Sequence, residues 1–276
     1  MSLAAASRSE VTKQFTTAGW WILALVLLVY VGGTAAALGF VFSASATGAL
    51  GAAGNEGPQF DGDAIPPVLY SLATSVGYVF PLLVGTLMVT SEFRHKTLTP
   101  TFLATPQRGV ALLAKVIVGI LMGAIFAVIA LIAAVGPGAA FLAGFGLDTA
   151  FSSPDTWALI GRTVIALVLW ALIGIGVGTL VRNQVAAIVI VLAFTQFIEP
   201  IARVAASFVD GLSDVTKFLP GSASDALVGA SIFSAPMAGT SAGTSLEWWV
   251  GGLVLAGYAV VLLIVGHFAS WRRDVT

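Results

Sequence analysis

Long apolar runs with almost no charge constrain the fold of this chain more than any other feature. Residues 20–42, 68–90 and 248–269 contain no Asp, Glu, Lys or Arg. A helix needs about 20 mostly apolar residues to cross the hydrocarbon core of a bilayer. Only 9% of the 276 residues are charged, against about 25% in an average soluble domain. The sequence therefore excludes a water-exposed globule and predicts an all-α membrane protein.

Six apolar runs fit into the chain, and we expect one transmembrane domain over residues 1–276. The predicted spans are residues 20–42, 68–90, 106–135, 157–181, 185–206 and 248–269, with an amphipathic N-terminal helix before the first. Pro81 should kink the second span, and the Gly-Pro-Gly sequence at 136–138 should end the third. The fourth should begin at Ser153 as N-cap, with Pro154 in the first helical position.

The basic residues are divided unevenly between the two ends of these spans. One side has nine of them: Arg8, Lys13, Arg94, Lys96, Arg108, Lys115, Arg182, Arg272 and Arg273. The other side has three: Arg162, Arg203 and Lys217. Cytoplasmic loops of membrane proteins carry an excess of Lys and Arg. We therefore expect both termini to be cytoplasmic.

Residues 207–245 form the long outer segment between the fifth and sixth spans and are rich in Gly, Ser and Ala. Its apolar pieces are short, and stretches of about 10–14 apolar residues are typical of re-entrant or interfacial segments. Backbone at membrane depth must also be buried against protein. We favour short re-entrant helices here, and a surface loop is the alternative.

The cytoplasmic loop at residues 91–108 combines basic and apolar side chains. Thr-Pro occurs at 99/100 and at 105/106, and each pair predicts a helix start. A one-turn helix should therefore separate two longer helices and expose a mixed surface. That surface consists of Arg94, His95, Lys96, Phe102, Leu103 and Arg108. It suits docking into a groove of a partner protein, and the alternative is a linker whose basic residues contact anionic lipid.

Three segments of the sequence carry a resemblance to a known family. Residues 92–98, followed by 103–108 and Lys115, resemble the first cytoplasmic loop of ABC-2 type transporter permeases. In that loop an acidic residue, a Gly or Lys, Thr-Leu, a Pro-Arg pair and a downstream Lys recur, and Lys96 stands where a Gly is frequent. Residues 9–17 with Trp20 and Trp21 are similar to the N-terminal helix of actinobacterial members. Residues 218–223 with Ala226 and Leu227 are similar to the family's last outer segment.

The resemblance implies the membrane subunit of a bacterial ABC exporter, located in the cytoplasmic membrane. Two permeases, identical or different, would pair, and each would bind a separate cytosolic ATPase that holds ATP and Mg²⁺. The loop would sit in the cleft of the ATPase and transmit its closure. The coupling residues implied are Glu92, Arg94, His95, Lys96, Thr97, Phe102, Leu103 and Arg108. The substrate would be an amphipathic drug, a lipid or a lipid-linked molecule moved outward by alternating access.

The composition argues against other classes of function. The chain has no Cys, only two His and a net charge of −1, so we expect no metal centre, no nucleic-acid surface and no catalytic residues. It also lacks the G-x-x-x-x-G-K-[S/T] phosphate loop. An ATP-driven transporter of this sequence therefore needs its ATPase on a partner chain, and this chain is expected to hold no cofactor of its own.

Glu199 is the acidic residue that an ion-coupled carrier would use. It follows Val185 by 14 residues, which places it about 21 Å into a hydrocarbon core of about 30 Å. We favour a helix that has ended there and leaves Glu199 at the interface. The alternative is a polar gate or substrate contact in which Glu199 pairs with Arg203 at i,i+4. The other function classes left open are therefore an ion-coupled secondary carrier and a membrane scaffold that anchors a cytosolic partner.

Two G-x-x-x-G pairs occur in the spans, Gly119 with Gly123 and Gly174 with Gly178. Glycines at this spacing permit close approach of two helices. We expect them to pack helices within the bundle.

Overall fold

Helices make up all the regular structure among the described residues, which are 2–49, 62–97, 107–206, 208–209, 211–234 and 246–271 of this computed structural model. Six helical segments are long and apolar enough to cross a membrane. They are Gly19–Ala46, Gly62–Arg94, Arg108–Gly144, Pro154–Leu180, Gln184–Ala206 and Trp248–Ala269. The all-α fold class and the six helices of membrane-spanning length are thereby confirmed.

We number the α-helices in chain order. Before the third span lie α1 (Leu3–Thr16), α2 (Gly19–Ala46), α3 (Ile65–Ser75) and α4 (Val79–Arg94). The third and fourth spans are α5 (Arg108–Gly144) and α6 (Pro154–Leu180). The fifth combines α7 (Gln184–Ala193), a π-helical turn at Phe194–Ile198 and α8 (Glu199–Ala206). Then follow α9 (Leu212–Thr216), α10 (Pro220–Val228) and α11 (Trp248–Gly266), and α11 continues as a π-helical turn at His267–Trp271.

The second span lies at the centre of the bundle. Its most apolar stretch is 78% buried within the protein, against 28% for the first span and 22% for both the fifth and the sixth. Its two halves pack differently, since α4 lies along α6 and α3 contacts α5. The first, fifth and sixth spans present rows of exposed apolar side chains, as expected for helices bordered by lipid.

Residues 76–78 break the second span between α3 and α4. The sequence predicts a kink at Pro81, and the structure has a complete break one turn before it. Pro81 has no backbone N–H to donate to the carbonyl of Gly77. That carbonyl instead accepts a hydrogen bond of 3.1 Å from the backbone N–H of Phe80, three residues later. The break positions Tyr78 against Trp170, with ring centroids 4.5 Å apart.

The predicted end of the third span at residues 136–138 is wrong. Helix α5 runs through Pro137 and ends at Gly144, a length of 37 residues. Gly138 and Leu142 lie beyond the proline and are buried, because this part of α5 packs against α3. Tertiary packing therefore outweighs the local preference of proline to end a helix.

The predicted start of the fourth span is confirmed. Pro154 is the first residue of α6, and the Ser153 hydroxyl accepts a hydrogen bond of 3.2 Å from the backbone N–H of Asp155. A Ser N-cap followed by proline satisfies the free N–H groups of a helix start without tertiary contacts. This boundary is therefore set by local sequence alone.

The outer segment contains short helices in its described part. Helices α9 and α10 are followed by a 3-10 turn at Ile232–Ser234. Helix α10 packs against α6 and α11 and buries Ala223 and Leu227. Re-entry of these helices into the bilayer stays a prediction.

Candidate functional site

Two acidic and two basic side chains, Glu10, Lys13, Glu92 and Lys115, form what we call the inner charge network. The ammonium of Lys13 lies 2.7 Å from Glu10 Oε1 and 2.8 Å from Glu92 Oε1. The ammonium of Lys115 lies 2.7 Å from Glu10 Oε2 and 3.0 Å from Glu92 Oε1. Each ammonium therefore bridges the same two carboxylates, and the four formal charges cancel.

Three of the four side chains in the inner charge network are shielded from solvent, and the Lys13 side chain is 38% exposed. Lys115 is fully buried, whereas Glu10 and Glu92 are 4% and 5% exposed. A buried charge without a partner costs several kcal/mol, so these groups depend on one another. Because Glu10 lies on α1, Glu92 on α4 and Lys115 on α5, the network fastens the N-terminal helix to both helices that bound the 91–108 loop.

Helix periodicity explains how these side chains meet. Glu10 and Lys13 are three residues apart and share one face of α1. Lys115 belongs to the buried stripe of α5, one turn after Ala111 and before Val118. Lys115 contributes to the predicted orientation and to the family resemblance, but its contacts with Glu10 and Glu92 were not predicted from the sequence. The sequence feature that could have indicated the network is the position of Lys115 on an otherwise apolar helix face.

The charges of the network alter the pKa values on α1. Burial by itself raises the pKa of Glu10, and the ammonium groups of Lys115 and Lys13 outweigh burial, so the net pKa lies below its ordinary value of 4.5. Burial lowers the pKa of Lys13, and the carboxylates of Glu92 and Glu10 outweigh it, so that pKa is raised above 10.5. Both groups are therefore charged at neutral pH and hold α1 in place as ions.

The predicted coupling residues divide between the interior and the surface. Glu92 is buried in the inner charge network, and the next four residues of the set are exposed: Arg94, His95, Lys96 and Thr97. Arg108 is half-buried at the start of α5. Phe102 and Leu103 lie outside the described residues.

Lys96 adopts the backbone conformation that favours glycine, with φ of 54°. The N–H of Thr97 donates to the carbonyl of Glu92 at 3.0 Å, and the N–H of Lys96 donates to that of Phe93 at 3.4 Å. These two bonds around a left-handed residue form a Schellman motif, which ends α4. The geometry explains why a glycine fits this position of the loop.

Lys96→Gly is expected to raise the free energy of unfolding by about 0.5–1 kcal/mol, because glycine occupies the left-handed region without a steric cost. The change can be followed by thermal unfolding in lipid nanodiscs. Lys96→Ala is the control, since it removes the same charge and keeps the strain. Equal stabilisation by both substitutions would assign the effect to charge and contradict the conformational explanation.

A second group of charges, which we call the outer cluster, consists of Glu199, Arg203 and Asp225. The guanidinium of Arg203 lies 3.0 Å from Glu199 Oε1 and 2.6 Å from Asp225 Oδ2. It therefore joins the fifth span to α10. The predicted i,i+4 pair of Glu199 with Arg203 is confirmed.

The favoured interpretation that the helix ends at Glu199 is wrong, because the helix continues to Ala206 and Glu199 is 1% exposed. Its depth in the membrane stays a prediction. The π-helical turn at Phe194–Ile198 precedes Pro200 and shifts the hydrogen-bond register where proline cannot donate. The fifth span therefore carries an acidic residue into the bundle.

Helix α10 is shaped to receive the outer cluster. The backbone N–H of Ser222 donates to Glu199 Oε1 at 3.1 Å. A Cβ atom at Gly221 would overlap the carboxylate of Glu199 and the guanidinium of Arg203, so a larger residue would require these two side chains to shift. Burial raises the pKa of Asp225, although Arg203 and the hydroxyls of Ser231 and Ser75 favour its charged form.

A small polar cavity of about 70 Å³ adjoins the outer cluster. Its walls include Glu199, Arg203, Asp225, Tyr78 and Tyr30. Drug-sized ligands occupy pockets of about 300–1,000 Å³, so this cavity holds a small polar group and not a whole drug molecule. Among the described residues, no three His, Cys, Asp or Glu side chains are arranged to hold a metal ion.

No protein-family model matches this sequence, and neither does any curated protein.

Proposed function

We propose that this chain is the membrane subunit of an ATP-driven exporter of the ABC-2 type. It is a six-span permease of a bacterial cytoplasmic membrane, with both termini in the cytoplasm. Two permeases pair, and each binds a separate ATPase. An amphipathic substrate moves outward by alternating access, driven by ATP hydrolysis on the partner chain.

The inner charge network is the observation that carries this proposal. It ties α1, α4 and α5 together at the ends that flank residues 91–108, with contacts of 2.7–3.0 Å. A displacement imposed on that loop is passed on to three helices at once, because a buried ion network is broken only at high cost. Such an attachment is what a permease needs if it receives force from a cytosolic ATPase.

The absence of a phosphate loop from the sequence supports a partner ATPase. The basic residues Arg94, His95 and Lys96 support the same conclusion, because they are exposed at the end of α4. They offer a cationic surface to a protein partner beside the predicted coupling helix.

The experiment combines Phe102→Asp with Leu103→Asp in the coupling loop. Charges at these positions are expected to weaken binding of the ATPase and to abolish substrate flux in proteoliposomes, because apolar contacts in a groove do not tolerate unpaired carboxylates. Phe208→Asp is the control, since Phe208 is 82% exposed in the outer segment. Normal ATPase binding together with normal flux in the double variant would contradict the coupling role.

An ion-coupled secondary carrier is the second candidate, and the burial of Glu199 favours it. Flux driven by an ion gradient without ATP, and lost in Glu199→Gln, would identify such a carrier. A membrane scaffold would bind its partner and give neither flux nor substrate-stimulated ATP hydrolysis. Reconstitution with the purified ATPase therefore separates all three functions.

A further inference from the structure

Two hollows share Tyr30 of α2 as a lining residue. One is the polar cavity of about 70 Å³ beside the outer cluster. The other is an open apolar groove of about 700 Å³ along α2, and Tyr30 lines both. A ligand that fills both hollows must have a small polar end and a larger apolar body.

The charge of the outer cluster indicates which kind of polar group the cavity would bind. The outer cluster has two carboxylates and one guanidinium, so its formal charge is −1. Glu199 is 1% exposed, and its Oε2 has no hydrogen-bond partner among the described residues. A buried carboxylate oxygen without a hydrogen-bond partner is stabilised by a cationic donor, and Glu199 is one of the residues that line the cavity. Arg203 and Asp225 face Glu199 from α8 and α10, and Tyr78 faces it from the break in the second span.

The size and walls of the cavity narrow the choice of cation. A volume of about 70 Å³ is sufficient for an ammonium group on a narrow chain. Tyr30, Tyr78 and Phe233 contribute aromatic rings to its walls, and aromatic faces attract ammonium ions. The hydroxyls of Ser75 and Ser224 add acceptors for the N–H groups of such an ion.

The groove accepts the apolar remainder of the ligand. It runs from Leu25 to Leu38, a distance of about 20 Å on a helix. Its floor contains the small residues Gly33, Thr34 and Ala37, and a side chain placed at Gly33 would meet open space. All of its lining residues belong to α2, and its length matches the apolar part of an amphipathic molecule lying along the helix.

We propose that the two hollows form one substrate site, specific for amphipathic primary amines. The ammonium group binds Glu199 Oε2 in the polar cavity, and the apolar body lies along the groove of α2. This inference rests on the proposed function in that it names the substrate class of the exporter. The site belongs to this chain alone, so ligand binding does not require the ATPase.

The test measures binding of dansylcadaverine, a fluorescent primary amine, to the purified chain in nanodiscs of neutral lipid at neutral pH. Its N-acetyl derivative is the matched neutral probe, and empty nanodiscs correct for partition into lipid. We expect the amine to bind at least about tenfold more tightly than the acetylated probe, and Glu199→Gln to remove that preference. Asp214→Asn is the control, because it neutralises an exposed outer carboxylate that pairs with Lys217.

A second variant tests the groove without altering the outer cluster. Gly33→Leu fills the groove and is expected to weaken both probes, whereas Gly257→Leu adds the same side chain at an open position of α11 and leaves binding unchanged. Equal affinity for the charged and acetylated probes would overturn the proposal, as would unchanged binding in Gly33→Leu. Binding with no ATP-driven flux would retain the site and refute the exporter.

Discussion

Lys115→Met is expected to lower the free energy of unfolding by about 3–5 kcal/mol, the cost of removing one partner from a buried ion pair. Lys115 is fully buried and contacts the carboxylates of Glu10 and Glu92 at 2.7 Å and 3.0 Å. Methionine keeps the length and apolar volume of the lysine stem. The loss of stability therefore measures the removal of the charge and not the creation of a cavity. Thermal unfolding in lipid nanodiscs measures the effect, and hydrogen exchange should locate it first in α1.

Lys217→Met is the matched control for this substitution. Lys217 also pairs with a carboxylate, that of Asp214 at 2.9 Å, but the Asp214 side chain is 70% exposed. A pair of this kind contributes at most about 1 kcal/mol. A loss in Lys115→Met no larger than in Lys217→Met would show that the inner charge network does not anchor α1.

A charge-balanced double variant separates electrostatics from packing. Glu10→Gln added to Lys115→Met leaves Lys13 and Glu92 as one balanced pair. Part of the lost stability should return, because the excess buried negative charge has been removed. Strictly additive losses would indicate that Lys115 acts through packing alone.

The parts of the fold that local chemistry controls were predictable from the sequence. Apolar length indicated the six helices that are long enough to cross a membrane. The start of α6 followed from Ser153 and Pro154, which satisfy the helix end without any distant partner. The pairing of Glu199 with Arg203 followed from their spacing of one helical turn.

Features that depend on distant contacts were not predictable in this way. Helix α5 continues through Pro137 because residues beyond it are buried against α3, which the sequence of α5 alone does not reveal. The burial of Glu199 depends on Gly221 and Ser222 of α10, more than 20 residues later. The inner charge network joins Glu10 to Lys115 across a sequence separation of 105 residues.

The two charge groups differ in a way that bears on the proposed mechanism. The inner charge network is electrically balanced, so it is suited to holding helices together without a ligand. The outer cluster has an excess carboxylate beside a cavity, so on our proposal it gains stability when a cation enters. The helices between them would then connect a fixed attachment for the proposed coupling loop with the proposed substrate site.

The connection between the inner charge network and the outer cluster depends on the close contact of α4 with α6. At this contact a glycine of each helix lies against the backbone of the other helix. A Cβ at Gly85 would overlap the carbonyl of Ala171, and a Cβ at Gly174 would overlap the carbonyl of Leu82. Such an approach is what the G-x-x-x-G spacing in α6 predicts. Because both obstructing atoms are backbone, a side-chain rotation cannot relieve the overlap.

Gly174→Ala is therefore expected to lower the free energy of unfolding by about 3 kcal/mol or more, since the two helices must move apart along their length. Gly161→Ala is the control in the same helix, because a Cβ there meets nothing within 4 Å. It should leave stability unchanged or raise it by about 0.5–1 kcal/mol, as alanine favours the helix over glycine. Thermal unfolding of both variants in nanodiscs provides the comparison. Equal effects of the two substitutions would contradict the close packing of α4 against α6, and with it the rigid connection between the proposed coupling loop and the proposed substrate site.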